Sequence, residues 1–173
     1  MLPKSYLIAF SFANEMRPFV VKVASTLAGV FGYDKVLYDK VFEGVFARSD
    51  LGNYLPARYA EASDLVVVVL SPQYEQSDWC RKEWDAIRAR MEAGDAESIL
   101  LARSEIREYV GLDANSGFLD LPNKTPLDVA ILIGQRLAES QKVGLDKYSA
   151  EIEREYSRQY GGEYVDLRIP YTY

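Results

Sequence analysis

The sequence predicts an α/β domain on an open parallel sheet of about five strands, with helices on both faces and a C-terminal helical extension. Two observations carry this reading. Leu65-Val66-Val67-Val68-Val69-Leu70 is an unbroken apolar run, rich in β-branched residues and closed by Ser71-Pro72. Such a run belongs inside a parallel sheet whose two faces are both covered by helices. Soon after it, Cys80, Trp84, Ile87 and Met91 recur at spacings of four, three and four, the core stripe of an amphipathic helix.

The remaining elements follow in chain order. Tyr6-Leu7-Ile8-Ala9-Phe10-Ser11 is the first strand, buried on both faces. Pro18 suits the first turn of the next helix, where its missing N–H is not needed. Phe19, Val20, Val23, Leu27, Val30 and Phe31 form the stripe of that helix, and Gly32 stops it. Lys35-Val36-Leu37-Tyr38 is a short second strand. Residues 39–52 make a loop holding Val41, Phe42, Val45 and Phe46, and 54–62 a short second helix. The 65–70 strand and the 77–93 helix come next, with Ser77 or Asp78 as the cap. Residues 98–102 are a fourth strand and Phe118-Leu119-Asp120-Leu121 a fifth, after a stretch whose Gly111, Asn115 and Gly117 favour loops. Thr125 or Asn123 caps a last helix with Pro126 in its first turn, carrying Val129, Ile133 and Leu137. The division expected is 1–140 as the domain and 141–173 as a C-terminal extension or linker. Six of the 13 tyrosines fall in that extension, and Gly161-Gly162 interrupts it. It reads either as a linker or as a helix docking its tyrosines on the domain.

At 173 residues the chain can bury a sizeable core. With 26 acidic against 20 basic residues and a net charge of -6, it lacks the clustered Lys and Arg that phosphate backbones require. No nucleic acid is expected as a direct partner, and no apolar stretch is long enough to span a bilayer. The single cysteine, Cys80, excludes an internal disulfide and suits the cytoplasm. The chain contains no histidine, which excludes a Ser-His-Asp triad, a Cys-His dyad and histidine-ligated zinc. Any chemistry rests on carboxylates, hydroxyls, aromatics and backbone groups, with no metal and no cofactor.

Trp79 and Glu83 lie four apart and one step off the helical stripe, at the boundary of core and solvent. They stand just past the carboxyl end of a central strand, where open α/β sheets form ligand sites. Leu70-Ser71-Pro72 followed by Ser77, Trp79, Cys80 and Glu83 resembles the Toll/interleukin-1 receptor (TIR) domains over residues 6–140. Their third strand ends in a Leu-Ser-Pro-like turn, and their next helix opens with Ser-x-Trp-Cys-x-x-Glu. The resemblance implies the flavodoxin-like TIR fold and, for the bacterial type, the N-terminal effector domain of an anti-phage defence protein. It further implies self-association, centred on the 39–52 loop, and a C-terminal sensor or NTPase module in a longer protein.

TIR domains that keep this glutamate include a class that cleaves NAD⁺ at the nicotinamide–ribose bond. The resemblance therefore implies Glu83 as the catalytic carboxylate. One carboxylate suffices, because nicotinamide already carries positive charge in NAD⁺ and departs neutral without a general acid. The oxocarbenium-like ribose is what needs electrostatic stabilisation. Trp79 would wall off water and attract the pyridinium, and Phe12 would stack on a ring from the other side. Ser11, Asp39 and Ser71, at the ends of the first three strands, and Ser77 are the candidates for hydrogen bonds to substrate. The basic residue that the family often carries after the first strand has Ala13-Asn14 in its place here. Read without that context, Glu83 is a solvated helix acid beside Arg81 and Lys82, and Trp79 a half-buried core aromatic. Cys80 lies on the core stripe and reads as packing rather than as a nucleophile.

Two rivals stand beside the NAD⁺-cleaving reading. One is a non-catalytic TIR scaffold for signalling assembly. The other is an enzyme of the nucleoside deoxyribosyltransferase type, which shares a related topology and a glutamate but acts on free nucleosides. A receiver-like phosphoacceptor is disfavoured, because the first strand ends in Ser11-Phe12-Ala13-Asn14 without an acidic cluster.

Overall fold

The structure, a computed structural model, describes residues 6–38, 47, 49–112 and 115–161. Five parallel strands form one sheet in the order β2-β1-β3-β4-β5: β1 (Tyr6–Phe12), β2 (Val36–Leu37), β3 (Ser63–Leu70), β4 (Ile99–Arg103) and β5 (Leu119–Asp120). The chain steps from β1 outward to β2, then returns past β1 to β3. The carboxyl ends of β1 and β3 therefore flank a topological switch point, with Phe12 paired to Val69.

Alternation along β3 shows why its apolar run has no polar face. Val67 and Val69 join one core with Ile8, Phe10, Val20, Leu27 and Ile133. Val66, Val68 and Leu70 join the other, with Ala9, Tyr59, Cys80 and Ile87. Helices α1 (Arg17–Phe31) and α5 (Pro126–Ser140) supply the first layer, and α2 (Leu51–Glu61), α3 (Pro72–Gln76) and α4 (Asp78–Glu92) the second. Local chemistry sets the helix ends. Pro18 stands in the first turn of α1, and Gly32 ends it with φ 115°, a conformation that favours glycine. Thr125 caps α5 in a capping box with Asp128.

Some boundaries differ from expectation. The second helix begins at Leu51 rather than Tyr54, so Pro56 stands inside it and not in its first turn. The turn after β3 is itself a short helix, α3, capped by Ser71. Ser77 caps α4 by accepting from the Cys80 backbone N–H. On α4 the buried set is Cys80, Glu83, Ile87 and Arg90, while Trp84 and Met91 are only partly covered. Two charged residues thus replace half of the expected apolar stripe.

The extension is helical, α6 (Ser149–Tyr160), and packs on α1 and α5. Ile152 is fully buried in that seam. A Cβ added at Gly134 would stand 2.6 Å from Ile152 Cδ1, and one at Gly29 would collide with the Glu155 carboxylate. Tyr148 meets Phe31 edge-on at 4.9 Å, and the Tyr160 hydroxyl lies 2.6 Å from Ser25 Oγ. Tyr164, Tyr171 and Tyr173 lie outside the described residues. No helix among the described residues is long and apolar enough to cross a membrane.

Candidate active site

A cavity of about 390 Å³ opens at the carboxyl end of β1. Phe12, Asn14, Arg17, Ser77, Trp79 and Glu83 are among the residues that line it. Glu83 is 4% exposed, far more enclosed than a solvated helix acid. Burial of a carboxylate is unfavourable unless its oxygens are satisfied, and here both receive donors. Trp79 Nε1 donates to Oε1 at 2.8 Å, and Ser11 Oγ donates to Oε2 at 2.5 Å. The i, i+4 spacing noted in the sequence becomes a direct hydrogen bond. The Trp79 ring remains 39% exposed at the mouth.

Ser11 is fully buried, and its Oγ lies 2.8 Å from the hydroxyl of Tyr74. It sits behind the carboxylate rather than on the cavity surface. Ser71, also fully buried, accepts from the Tyr74 backbone N–H at 3.2 Å and belongs to the α3 cap. Ser77 lines the cavity while capping α4. The structure thus gathers Phe12, Ser77, Trp79 and Glu83 around one space, sets Ser11 directly beneath it, and leaves Ser71 one layer further in. Asp39 and the loop residues Val41, Phe42, Val45 and Phe46 lie outside the described residues.

Cys80 is buried, with Sγ 3.8 Å from the Phe12 carbonyl oxygen. Burial pushes its thiol pKa up, the hydrogen bond with Ser77 opposes this, and the Glu83 charge adds to the rise. A thiol held protonated is packing, not a nucleophile.

Four residues of the site are not evident from the motif. A 3₁₀ turn over Asn14–Met16 folds the chain so that Arg17 enters the cavity wall. Its guanidinium lies 5.3 Å from the Phe12 ring centroid, and its Nε donates to Asn14 Oδ1 at 2.8 Å. The basic group missing at Ala13-Asn14 is therefore supplied one turn later. Gln73 reaches the rim, its backbone N–H donating to Glu15 Oε1 at 3.2 Å. Tyr59 lines the floor and donates its hydroxyl to the Phe10 carbonyl at 2.8 Å, tying α2 to β1. Tyr74 stands behind Ser11. Pro72 opens α3, but no local signal in the sequence shows that Tyr74 faces inward.

Comparison with known proteins agrees with this geometry. The profile of the TIR domain family matches residues 8–133. A protein of Aquimarina amphilecti, the 3′ cyclic ADP-D-ribose synthase AaTIR, is 32% identical over 146 residues, which cover 83% of this chain and 43% of that protein. The chain thus spans less than half the length of that curated relative.

Proposed function

This chain belongs to the TIR domain family, and from that premise we propose that it is an NAD⁺ nucleosidase, cleaving the nicotinamide–ribose bond to give nicotinamide and ADP-ribose, linear or cyclic. The observation that carries the reading is Glu83: a buried carboxylate, fixed on both oxygens, with an exposed indole beside it at the mouth of a cavity.

The C1′–N bond breaks with its electron pair leaving on nicotinamide, which departs neutral. Positive charge develops on the ribose, and the Glu83 carboxylate lies where it can stabilise that charge without reorganising. Trp79 offers its π-face to the pyridinium before cleavage. Arg17 supplies positive charge for the pyrophosphate, and Phe12, backed by that guanidinium, a face for a ring. Water, or a hydroxyl or ring nitrogen of the ADP-ribose itself, then captures C1′. The name of the relative makes cyclisation the outcome to look for first.

Incubation with NAD⁺ followed by chromatographic separation tests the proposal. Release of nicotinamide by the wild type and its loss in Glu83→Gln is the expected result. Cleavage of free nucleosides in preference to NAD⁺, or wild-type turnover by Glu83→Gln, would overturn it. The part in bacterial immune defence and the self-association are parts of the same proposal. The latter rests on the four large apolar residues Val41, Phe42, Val45 and Phe46 within 39–52. Specific activity that rises with protein concentration, and is abolished by Phe42→Asp, is its test.

A further inference from the structure

We propose that Tyr74 is a positioning residue for Glu83, acting through Ser11 from outside the cavity. The inference rests on the reading of Glu83 as the reacting carboxylate, but hydrogen-bond direction carries it. Ser11 Oγ donates to Glu83 Oε2 at 2.5 Å and lies 2.8 Å from Tyr74 Oη. A serine hydroxyl has one proton. With that proton directed at Glu83 Oε2, Ser11 Oγ accepts from Tyr74 Oη–H. The chain therefore runs from Tyr74 Oη–H to Ser11 Oγ–H to Glu83 Oε2.

Each link aims its proton at the carboxylate, and consecutive links polarise one another. Trp79 Nε1–H meets the other oxygen. An arrangement with donors on both oxygens favours the anion over the neutral acid.

Tyr74 does not line the catalytic cavity. Its ring, 2% exposed, forms part of the wall of a separate cavity with Leu70, Trp84 and Tyr109. Its backbone N–H is held by Ser71, at the end of β3. The hydroxyl is thus placed by the ends of two neighbouring, paired strands. Burial, and then the Glu83 charge, push the phenol pKa well above its ordinary value, so its proton stays in place. Among the described residues, the groups facing Glu83 include Ser11 from β1, Tyr74 from α3, and Trp79 and Cys80 from α4, and Arg17 of α1 lines the same cavity.

The sequence has two tryptophans, so in a Trp84→Phe background Trp79 is the sole indole. Its emission then reports ionisation of the carboxylate it donates to, without substrate. Tyr74→Phe should move that titration midpoint to higher pH by about half a unit to one unit, since a donor chain favouring the anion is lost. It should lower kcat about three- to tenfold with little change in KM, the signature of lost transition-state stabilisation. Ser11→Ala should shift the midpoint likewise, and adding Tyr74→Phe to Ser11→Ala should shift it no further.

A purely structural tyrosine would lower the melting temperature and leave the midpoint unmoved. That result, or equal shifts by Tyr74→Phe with and without Ser11, overturns the relay. Should Tyr74→Phe not fold, the wild type decides. The sealed hydroxyl protons of Tyr74 and Ser11 should give slowly exchanging NMR resonances that move together through the Glu83 titration, and a Tyr74 resonance indifferent to it overturns the proposal. A chain that releases no nicotinamide yet shows the midpoint shift supports the relay and refutes the NAD⁺ reading instead.

Discussion

Glu83 and Arg90 lie two turns apart on α4, and both are charged and buried, yet their surroundings differ in kind. Arg90 donates from Nη1 to the carbonyls of Tyr59 and Ser63 and from Nε to Asp95 Oδ2 at 2.7 Å. Its planar fork matches fixed backbone acceptors, and it ties the end of α2 and the start of β3 to the end of α4. Glu83 is held by side chains, one of them an indole half open to solvent, and one side of it faces a cavity. Arg90, held by two backbone carbonyls and the Asp95 carboxylate with its Nη2 buried and without a hydrogen bond among the described residues, acts as a clamp between elements. Glu83, with one side open to the cavity, has the access that the proposed cleavage requires. The same helix carries one of each, at the same depth.

The comparison breaks most sharply at Glu83. Glu83→Gln keeps the shape and both neighbours, and NAD⁺ cleavage should fall by about 10²-fold or more, with the melting temperature close to wild type. Nicotinamide release measured beside a thermal melt checks both halves. A variant that unfolds instead would make Glu83 a clamp like Arg90.

Arg90→Leu should do the reverse. Two backbone carbonyls lose their donor, so urea unfolding should report a loss of about 2 kcal/mol, while kcat per folded molecule stays near wild type. Stability unaffected by this change would remove the distinction between the two ends of α4.

Trp79→Ala sharpens the comparison at the open side. Loss of the π-face and of one carboxylate donor should lower kcat/KM about tenfold, near 1.4 kcal/mol. Loss of the Nε1–H donor to a buried carboxylate should also lower the melting temperature, so turnover is read per folded molecule. Unchanged turnover would make Trp79 a surface aromatic.

The smallest effect concerns Cys80. Folding raises its thiol pKa above the ordinary 9.0, so the unfolded chain releases this proton at lower pH than the folded one. Its contribution to stability is present in full below the ordinary thiol value and is lost as pH rises through the raised value. Urea midpoints should therefore hold through neutral pH and decline in the alkaline range. In Cys80→Ala that decline should be shallower, and an equal slope in both proteins would show that the thiol plays no part in it.

How much of this was legible in the sequence depends on how local each signal was. Pro18, Gly32, Thr125 with Pro126 and the run 65–70 act within a turn or a strand, and the helices and strands they mark stand where expected. Helix α3 spans five residues, too few for any periodicity to register. Helix α2 starts three residues before the expected Tyr54, at a cap, Asp50, whose side chain makes no capping hydrogen bond. In the site, the Trp79–Glu83 spacing announced a pair, but the depth of Glu83 was not readable. Its partner Ser11 is 72 residues away in the chain, and only sheet topology brings them together. Arg17 escaped notice for the same reason, since the 3₁₀ turn before it cannot be seen in side-chain pattern alone.

Gly29 and Gly134 have a consequence beyond this molecule. At each, an added Cβ would press on a side chain of α6, the Glu155 carboxylate at Gly29 and Ile152 Cδ1 at Gly134, so that the side chain would have to move aside. Across related sequences, small residues at both positions would mark chains whose tail is folded into the domain. A bulky residue at either would mark chains in which that helix has been released to do something else. Two alignment columns, neither among the residues that line the cavity, would sort related chains by architecture.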